Sequence, residues 1–267
     1  MDIIYRYPGG TLYGEYDTVL KAAHTFIAGC TGSGKSTFLH GLLYSILATK
    51  APCAAMLALI DLKQVELLQY AKLPHTLYHA DTPETAVEVL KSIESEMQNR
   101  FTEMKKYGKK ETDLPHIYVI IDEIAYLILR AGKQVTRILE SLSMLGRAAH
   151  IHIVYACQNP RKSGPGAIPA GLLLNTDCRV ALHCTDKLES RLIIQSPGAE
   201  TLPAVGECYI RCGADLTRWK SRLIDAAEMR RVISHWSNPD RYIQEPEPEQ
   251  EPEQETKPWY KRLFRRA

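Results

Sequence analysis

Eight residues at positions 29–36, GCTGSGKS, match the phosphate-binding pattern G-x-x-x-x-G-K-[ST]. Glycines allow a tight loop whose backbone N–H groups point inward at phosphate oxygens, and the positive end of a following helix adds attraction. Lys35 is then placed to neutralise the β- and γ-phosphates of a nucleoside triphosphate, and Ser36 to hold Mg²⁺. The predicted nucleotide-binding residues are Gly29, Cys30, Thr31, Gly32, Ser33, Gly34, Lys35, Ser36 and Thr37. The alternative is a glycine-rich turn without a ligand.

The residues on either side of this loop favour the nucleotide-binding interpretation. His24–Ala28 is a short apolar run, typical of a buried strand. After the loop, apolar residues between Phe38 and Leu47 recur along one face of a helix that begins near Lys35. Strand, loop and helix therefore follow one another in the order that the motif requires.

A second apolar run, IYVII at positions 117–121, ends in Asp122 and Glu123. Such a run fits a parallel strand buried on both faces, and ligands bind at the carboxyl ends of such strands. Asp122 is predicted to orient the Mg²⁺ shell, and Glu123 to polarise an attacking water. The alternative is that two adjacent acids simply open the next helix, where the helix dipole favours them.

A third apolar run, at positions 151–157, ends in Gln158. If its strand is parallel to the others, Gln158 reaches the same edge of the sheet. An amide there is suited to sensing the γ-phosphate or holding the attacking water. The three motifs together predict an ATP hydrolase that uses ATP and Mg²⁺.

The rest of the chain alternates strand and helix patterns, which is typical of an α/β fold. We predict a strand at 56–60 and a long helix at 81–107, with Asp81 and Thr82 as candidate caps. A further helix carries Val135, Ile138, Leu139, Leu142 and Leu145 on its apolar face, and strands follow at 178–183 and 207–211. The pattern predicts a P-loop NTPase with a mainly parallel central sheet flanked by helices.

Composition bounds the class of protein. A chain of 267 residues with 45% hydrophobic content can bury a full core as one α/β domain. The formal charge of +2 does not by itself indicate DNA binding. There is no run of 18 apolar residues and no signal peptide pattern, so we expect a cytoplasmic protein. The seven cysteines form no C-x₂-C pair and are expected to be thiols.

The end of the chain has a different composition. Residues 245–255 read EPEPEQEPEQE, which cannot bury enough apolar surface to order itself. We therefore divide the chain into a P-loop ATPase domain, 1–240, and a disordered tail, 241–267. The tail ends in a basic aromatic peptide, 257–267, that suits a partner protein, an anionic membrane or nucleic acid. A peripheral association with a membrane follows from the second possibility; a solvated end without a dedicated role is the alternative.

Five blocks of the sequence together resemble the motor domain of the FtsK/SpoIIIE DNA translocases, within the FtsK–HerA superfamily. These blocks are HTFIAGCTGSGKS at 24–36, IDLKQVELLQY at 60–70, EMQNRFTEM at 96–104, VIIDEIAYLI with LGRAAHIHIVYACQNP between 119 and 160, and RVALHCTDKLESRLIIQSPGAETLPAVGECYI at 179–210. They follow the family order across nearly all of residues 10–225.

The resemblance implies a RecA-like core of the ASCE type that assembles into a ring, usually a hexamer, and hydrolyses ATP to move along double-stranded DNA. It also implies an arginine supplied by the neighbouring subunit. Arg147, Arg179 and Arg191 lie in matching blocks, and we favour Arg179 and Arg191. Lys63 is expected near the interface, while Arg161 and Lys162 lie where the family places a pore-facing loop that contacts the DNA backbone.

The sequence also departs from the family. Leu62 replaces the proline of the family's IDPK block, and the family's ATQ-R-P reads ACQNP at 156–160. The membrane helices, the winged-helix domain and a full amino-terminal subdomain of the motor are not found in these residues. We expect a reduced motor that moves the DNA of a mobile element, phage or chromosome, and these departures favour a mobile element, phage or plasmid over sequence-directed chromosome segregation. The rival hypotheses are the ATPase of a protein secretion system and an ATP-binding adaptor without motor activity.

Overall fold

Eight strands form one mixed sheet in a computed structural model that describes residues 14–203, 205–220 and 223–238. The strands are β1 (His24–Ala28), β2 (Ala55–Ile60), β3 (Thr76–Ala80), β4 (His116–Ile121), β5 (Ile151–Cys157), β6 (Cys178–Ala181), β7 (Glu207–Cys212) and β8 (Asp215–Lys220). Their order across the sheet is β3-β2-β4-β5-β1-β6-β7-β8. The first six in this order pair in parallel, and β7 and β8 pair antiparallel.

Seven α-helices accompany the sheet in the described residues. They are α1 (Gly14–Lys21), α2 (Lys35–Thr49), α3 (Pro83–Tyr107), α4 (Ile124–Leu145), α5 (Ala170–Leu174), α6 (Lys187–Ile194) and α7 (Ala226–Trp236). Helix α2 packs with α1 and α7, whereas α4 packs with α3 and α5. None of these described helices is long and apolar enough to cross a bilayer.

The order of the strands creates a crevice beside β1. The chain leaves β1 through α2 toward β2 on one side of it, and leaves β5 through α5 toward β6 on the other. Because such crossovers are right-handed, the two connections lie on opposite faces of the sheet. The connections that follow β1 and β5 therefore diverge at the carboxyl ends of two paired strands, and this is where open α/β sheets bind ligands.

The core strands are those that the apolar runs predicted. Every residue of β1, β2 and β5 is buried, as are all but the first residue of β4. The predicted fold, a P-loop NTPase with a mainly parallel sheet flanked by helices, is confirmed. The predicted tail of residues 241–267 lies outside the described residues.

The long helix α3 is fixed at its start and near its end. Thr82 caps it, because its hydroxyl accepts from the Thr85 N–H in a reciprocal capping box. Farther along, the buried Arg100 pairs with Glu96 at 2.8 Å and donates to the carbonyls of Pro115 and Ala149. These bonds attach α3 to the amino-terminal edge of the sheet.

The structure differs from the sequence-based expectation in several details, and the helices α1, α5, α6 and α7 were not predicted. Strands β3 and β8 were not predicted, and β6 ends at Ala181 rather than at residue 183. Helix α4 is broken at Gly132, whose φ of 65° and ψ of −146° are not helical. Leu145, placed on the apolar face of this helix, is 48% exposed.

Candidate functional site

The phosphate-binding pattern forms a loop between β1 and α2. Gly32 and Gly34 have φ of 80° and 95°, which glycine adopts without the strain of a side chain. The loop is held by Cys30 N–H, which donates to the carbonyl of His183 at 2.9 Å, and by Ser33 N–H, which donates to that of Cys30 at 3.0 Å. Lys35, Ser36 and Thr37 form the first turn of α2, so the positive end of a 15-residue helix faces the loop.

Lys35 is buried and bound to the end of β4. Its Nζ donates to Asp122 Oδ1 at 2.6 Å and to the Asp122 carbonyl at 2.8 Å. The side chains of Lys35 and Asp122 are 5% and 3% exposed, so each charge depends on the other for compensation. The predicted phosphate-binding lysine and the predicted metal-orienting carboxylate are therefore in direct contact.

Glu123 lies beside this pair, close to Lys63 and Gln158. Its Oε2 is 3.4 Å from Lys63 Nζ, and its Oε1 accepts from the Gln158 N–H at 3.4 Å. The amide oxygen of Gln158 in turn accepts from the Thr31 hydroxyl at 3.5 Å. Polar groups after β1, β2, β4 and β5 thus meet at one edge of the sheet. In this position they could orient a water beside a γ-phosphate.

Ser36 has a partner that the motif does not predict. Its hydroxyl donates to Glu66 Oε1 at 2.6 Å, and Glu66 Oε2 is 3.2 Å from His40 Nε2. Neither Glu66 nor His40 is predicted as a site residue from the sequence. The signal that points to Glu66 is its place in the loop after β2, whose carboxyl end faces the same edge as that of β4.

The segment that holds Lys63 and Glu66 is folded around the buried Asp61. Its carboxylate accepts from the N–H groups of Lys63, Glu66 and Leu67, at 3.3, 2.9 and 2.8 Å. A side chain that accepts from its own following backbone is a local turn-forming device. The sequence IDLKQVEL therefore presents Lys63 to Glu123 and Glu66 to Ser36.

The predicted arginines differ in their surroundings. Arg179 is only 8% exposed, and its guanidinium donates to the carbonyls of Leu173 and Ile193 of its own chain. Burial lowers the pKa of Arg179, although Tyr155 opposes this effect. Arg191 is exposed on α6, and Arg147 is exposed in the turn after α4. This geometry favours Arg191 over Arg179 as a group that could reach another subunit.

The predicted DNA-contacting residues lie in the loop between β5 and α5. Arg161 and Lys162 are both exposed. The Arg161 carbonyl accepts from Ile168 N–H at 3.3 Å, which closes the loop. A Cβ at Gly166 would lie 3.0 Å from the Ala125 carbonyl, so the loop packs closely on the first turn of α4, just beyond Glu123.

The residues at this edge fit a nucleotide with its magnesium ion. The buried Ser33 hydroxyl has no hydrogen-bond partner in the described part of the chain, which is unusual unless a ligand supplies one. No cluster of three metal-binding side chains occurs in the described residues. Mg²⁺ is usually held by one or two protein oxygens together with water and substrate phosphates, and the Ser36 hydroxyl and the Asp122 carboxylate are the oxygens that would hold it here.

Comparisons with known proteins agree with this geometry. Residues 14–114 match the model of the FtsK/SpoIIIE family. The chain is 33% identical over 250 residues to the DNA translocase FtsK of Tropheryma whipplei, covering 83% of this chain and 33% of that protein. It is 35% identical over 247 residues to the FtsK of Treponema pallidum, covering 84% and 30%. The chain thus spans about a third of the length of these curated relatives.

Solved structures share the fold. The pCW3 conjugation coupling protein TcpA, in its monomer form with ATPγS, superposes with a TM-score of 0.70 at 22% identity, over 81% of this chain and 65% of that one. The EssC ATPases 2 and 3 of Geobacillus thermodenitrificans give 0.69 at 21% identity, over 81% and 45%. The type VII secretion ATPase EccC of Thermomonospora curvata gives 0.69 at 20% identity, over 80% and 28%.

The strand order, the phosphate-binding loop and these superpositions define a P-loop ATPase fold. Within that class, the chain belongs to the FtsK/SpoIIIE family.

Proposed function

We propose that this chain is an ATP-driven motor that moves double-stranded DNA. The observation that carries the proposal is the meeting of Lys35, Ser36, Asp122 and Glu123 at one edge of the sheet, in a family whose relatives are named DNA translocases. A protein that only senses a nucleotide does not need a carboxylate such as Glu123 beside the phosphates. Hydrolysis therefore explains the residues more fully than binding alone.

The proposed roles follow from the contacts. Lys35 neutralises the β- and γ-phosphates, Ser36 and Asp122 hold Mg²⁺, and Glu123 takes a proton from the attacking water. Gln158 orients that water or senses the γ-phosphate. When bound, Mg²⁺ supplies Lewis-acid stabilisation of the charge that develops on the phosphate oxygens.

We further propose that the active form is a ring of identical subunits, with a hexamer as the expected size. The exposed Arg191 is our candidate for the charge supplied to the neighbouring subunit's site. Such an arginine raises the rate of phosphoryl transfer by about 10³ to 10⁵ in related chemistry. Arg161 and Lys162 then face the pore, where cations contact the DNA backbone without reading its sequence.

We propose the cytoplasm as the place of action. The DNA moved is that of a mobile element, a phage or a chromosome. The basic aromatic peptide at 257–267 is a candidate contact for a partner protein or a membrane surface.

A second candidate is a protein-secretion ATPase, favoured by the similar superpositions on EccC and EssC. A third is an ATP-binding adaptor, which the joint presence of Lys35, Asp122 and Glu123 disfavours.

A triplex-displacement assay separates these functions. It measures whether the protein, moving along long duplex DNA, removes a third strand that is bound to that duplex. A DNA motor displaces that strand only with ATP, and Glu123→Gln abolishes the displacement. Intact ATP turnover without any displacement would favour secretion, and absence of turnover would favour the adaptor.

A further inference from the structure

Glu66 occupies an unexpected position for a carboxylate, since it contacts the hydroxyl that is expected to bind Mg²⁺. The Ser36 Oγ to Glu66 Oε1 distance is 2.6 Å, a short bond of the kind that a hydroxyl makes to an ionised carboxylate. The Glu66 side chain is 26% exposed, so water and ions can still reach it.

A chain of side-chain contacts and a backbone turn hold Glu66 in place. Its Oε2 is 3.2 Å from His40 Nε2, and His40 Nδ1 is 2.8 Å from the Tyr70 hydroxyl. Tyr70 is fully buried, and its hydroxyl also lies 3.4 Å from Met229 Sδ on α7. The turn around Asp61 fixes the backbone of Glu66. Both the main chain and the side chain of Glu66 are therefore held in place.

The charges at this edge of the sheet explain why a bound triphosphate next to Glu66 requires a divalent cation. Two ammonium groups, of Lys35 and Lys63, face three carboxylates, of Asp122, Glu123 and Glu66. A triphosphate that enters the loop adds more negative charge next to Glu66. That approach is repulsive unless a divalent cation lies between the phosphates and the carboxylates.

We propose that Glu66 is a positioning residue of the magnesium site, acting through Ser36. Its carboxylate accepts from the Ser36 hydroxyl and so orients the oxygen that would hold the cation, as carboxylates behind metal ligands commonly do. The role makes nucleotide binding at this site more dependent on Mg²⁺ than the phosphate-binding loop alone requires. This inference rests on the proposed nucleotide-binding function.

The test is a binding titration of the full chain with a fluorescent ADP analogue, over a range of MgCl₂ and in EDTA. In Glu66→Gln, which keeps the size and an acceptor oxygen, the Mg²⁺ concentration for half-maximal binding should rise about 10- to 100-fold. In EDTA, Glu66→Gln should bind the ADP analogue no more weakly than the unmodified chain does, because a carboxylate that repels the phosphates has been removed. Glu88→Gln, an exposed residue on α3, is the matched control and should leave both unchanged.

A purely structural role for Glu66 predicts a different result. Glu66→Gln would then weaken binding equally with Mg²⁺ and in EDTA, or leave the Mg²⁺ dependence unchanged, and either result overturns the proposal. Glu66→Asp keeps the charge on a shorter side chain and should fall between the wild-type protein and Glu66→Gln, so it replaces Glu66→Gln if that variant does not fold.

The same titration separates this inference from the proposed function. If the unmodified chain does not bind the ADP analogue under any condition, nucleotide binding fails and the role of Glu66 fails with it. If the unmodified chain binds the analogue with Mg²⁺ and Glu66→Gln responds to Mg²⁺ identically, only the role of Glu66 is wrong.

Discussion

At the scale of single residues, Lys35 is the group on which nucleotide binding depends most. Lys35→Ala removes the charge that faces the phosphates and leaves the buried Asp122 without its partner. We expect nucleotide affinity and ATP turnover both to be lost. The fold should remain but with lower stability, because leaving one charge of a buried ion pair without its partner typically costs about 3–5 kcal/mol. Equilibrium binding of a fluorescent nucleotide, with circular dichroism as the control for folding, measures this. If Lys35→Ala retained its affinity for nucleotide, the assignment of Lys35 to the nucleotide-binding site would be wrong.

Glu123 should behave differently, because it is assigned to chemistry rather than to binding. Glu123→Gln keeps an acceptor for the Gln158 N–H but cannot take a proton from water. We expect nucleotide affinity to stay close to that of the unmodified chain and kcat to fall about 10²- to 10⁴-fold. Single-turnover hydrolysis measures this, and an unchanged rate would contradict the assignment of Glu123 as the general base.

The residues that the sequence predicted best are those in fixed local motifs. Lys35 and Ser36 follow from spacing within one loop, and Asp122 and Glu123 from the end of one apolar run. Glu66 and His40 could not be predicted in this way, since they are 26 residues apart and meet only because the Asp61 turn packs on α2. Arg179 shows the converse: its block matches the family, but the side chain is buried among carbonyls of its own chain.

At the scale of elements, the loop between β5 and α5 is the predicted contact with DNA. Replacing both Arg161 and Lys162 with Ala should weaken duplex DNA binding and reduce the dependence of that binding on salt. A complex with fewer phosphate contacts releases fewer counterions from the DNA when it forms. ATP turnover without DNA should not change. The matched control is Lys109→Ala with Lys110→Ala, in the exposed loop before β4. Equal effects of the two pairs on DNA binding would exclude a special role for the β5–α5 loop.

Histidines at the amino-terminal ends of the strands predict a dependence of stability on pH. His24 begins β1 and accepts from the Ile153 N–H at 3.1 Å, while His116 at the start of β4 is 2.8 Å from His152 on β5. Burial lowers the pKa of His24 and of His152 to about 4, and that of His116 to about 3. These rings are therefore neutral in the folded protein at neutral pH.

The direction of the pH effect follows from these values. In the unfolded chain the histidines titrate near 6.5, so between about pH 6.5 and 4 the unfolded state binds more protons than the folded state. Stability is therefore full above about pH 6.5 and falls as the pH decreases. Between pH 7.5 and 5, His24 and His152 should each account for a loss on the order of 2 kcal/mol. Urea unfolding at the two pH values measures the loss, and His152→Gln should reduce it; an equal loss in that variant would contradict the assignment.

The strands that the sequence predicted most directly are the ones with continuous apolar runs. Strands β1, β4 and β5 are buried along almost their whole length, so composition alone identifies them. Strand β3 is half-buried, and β8 is largely exposed and antiparallel, so neither has that signal. The break of α4 at Gly132 was not predicted, because one glycine in an apolar helical pattern usually lowers stability without ending the helix.

At the scale of the whole molecule, the fold brings the proposed hydrolysis site at Glu123 close to the loop that is proposed to bind DNA. The loop of Arg161 and Lys162 packs on the first turn of α4, directly after Glu123, and Glu123 also contacts the Gln158 N–H at the start of that loop. A change in the contacts of Glu123 during hydrolysis would therefore be felt by the loop proposed to hold DNA. The same connection predicts that DNA on the loop affects turnover.

The measurement that tests this account most directly is the steady-state ATPase rate of the full chain with and without long duplex DNA, at low and at moderate salt. We predict that DNA raises kcat, that the stimulation decreases with salt as phosphate contacts are screened, and that Lys35→Ala shows no turnover in any condition. Turnover that is robust but indifferent to DNA at both salt concentrations would contradict the assignment of a DNA motor.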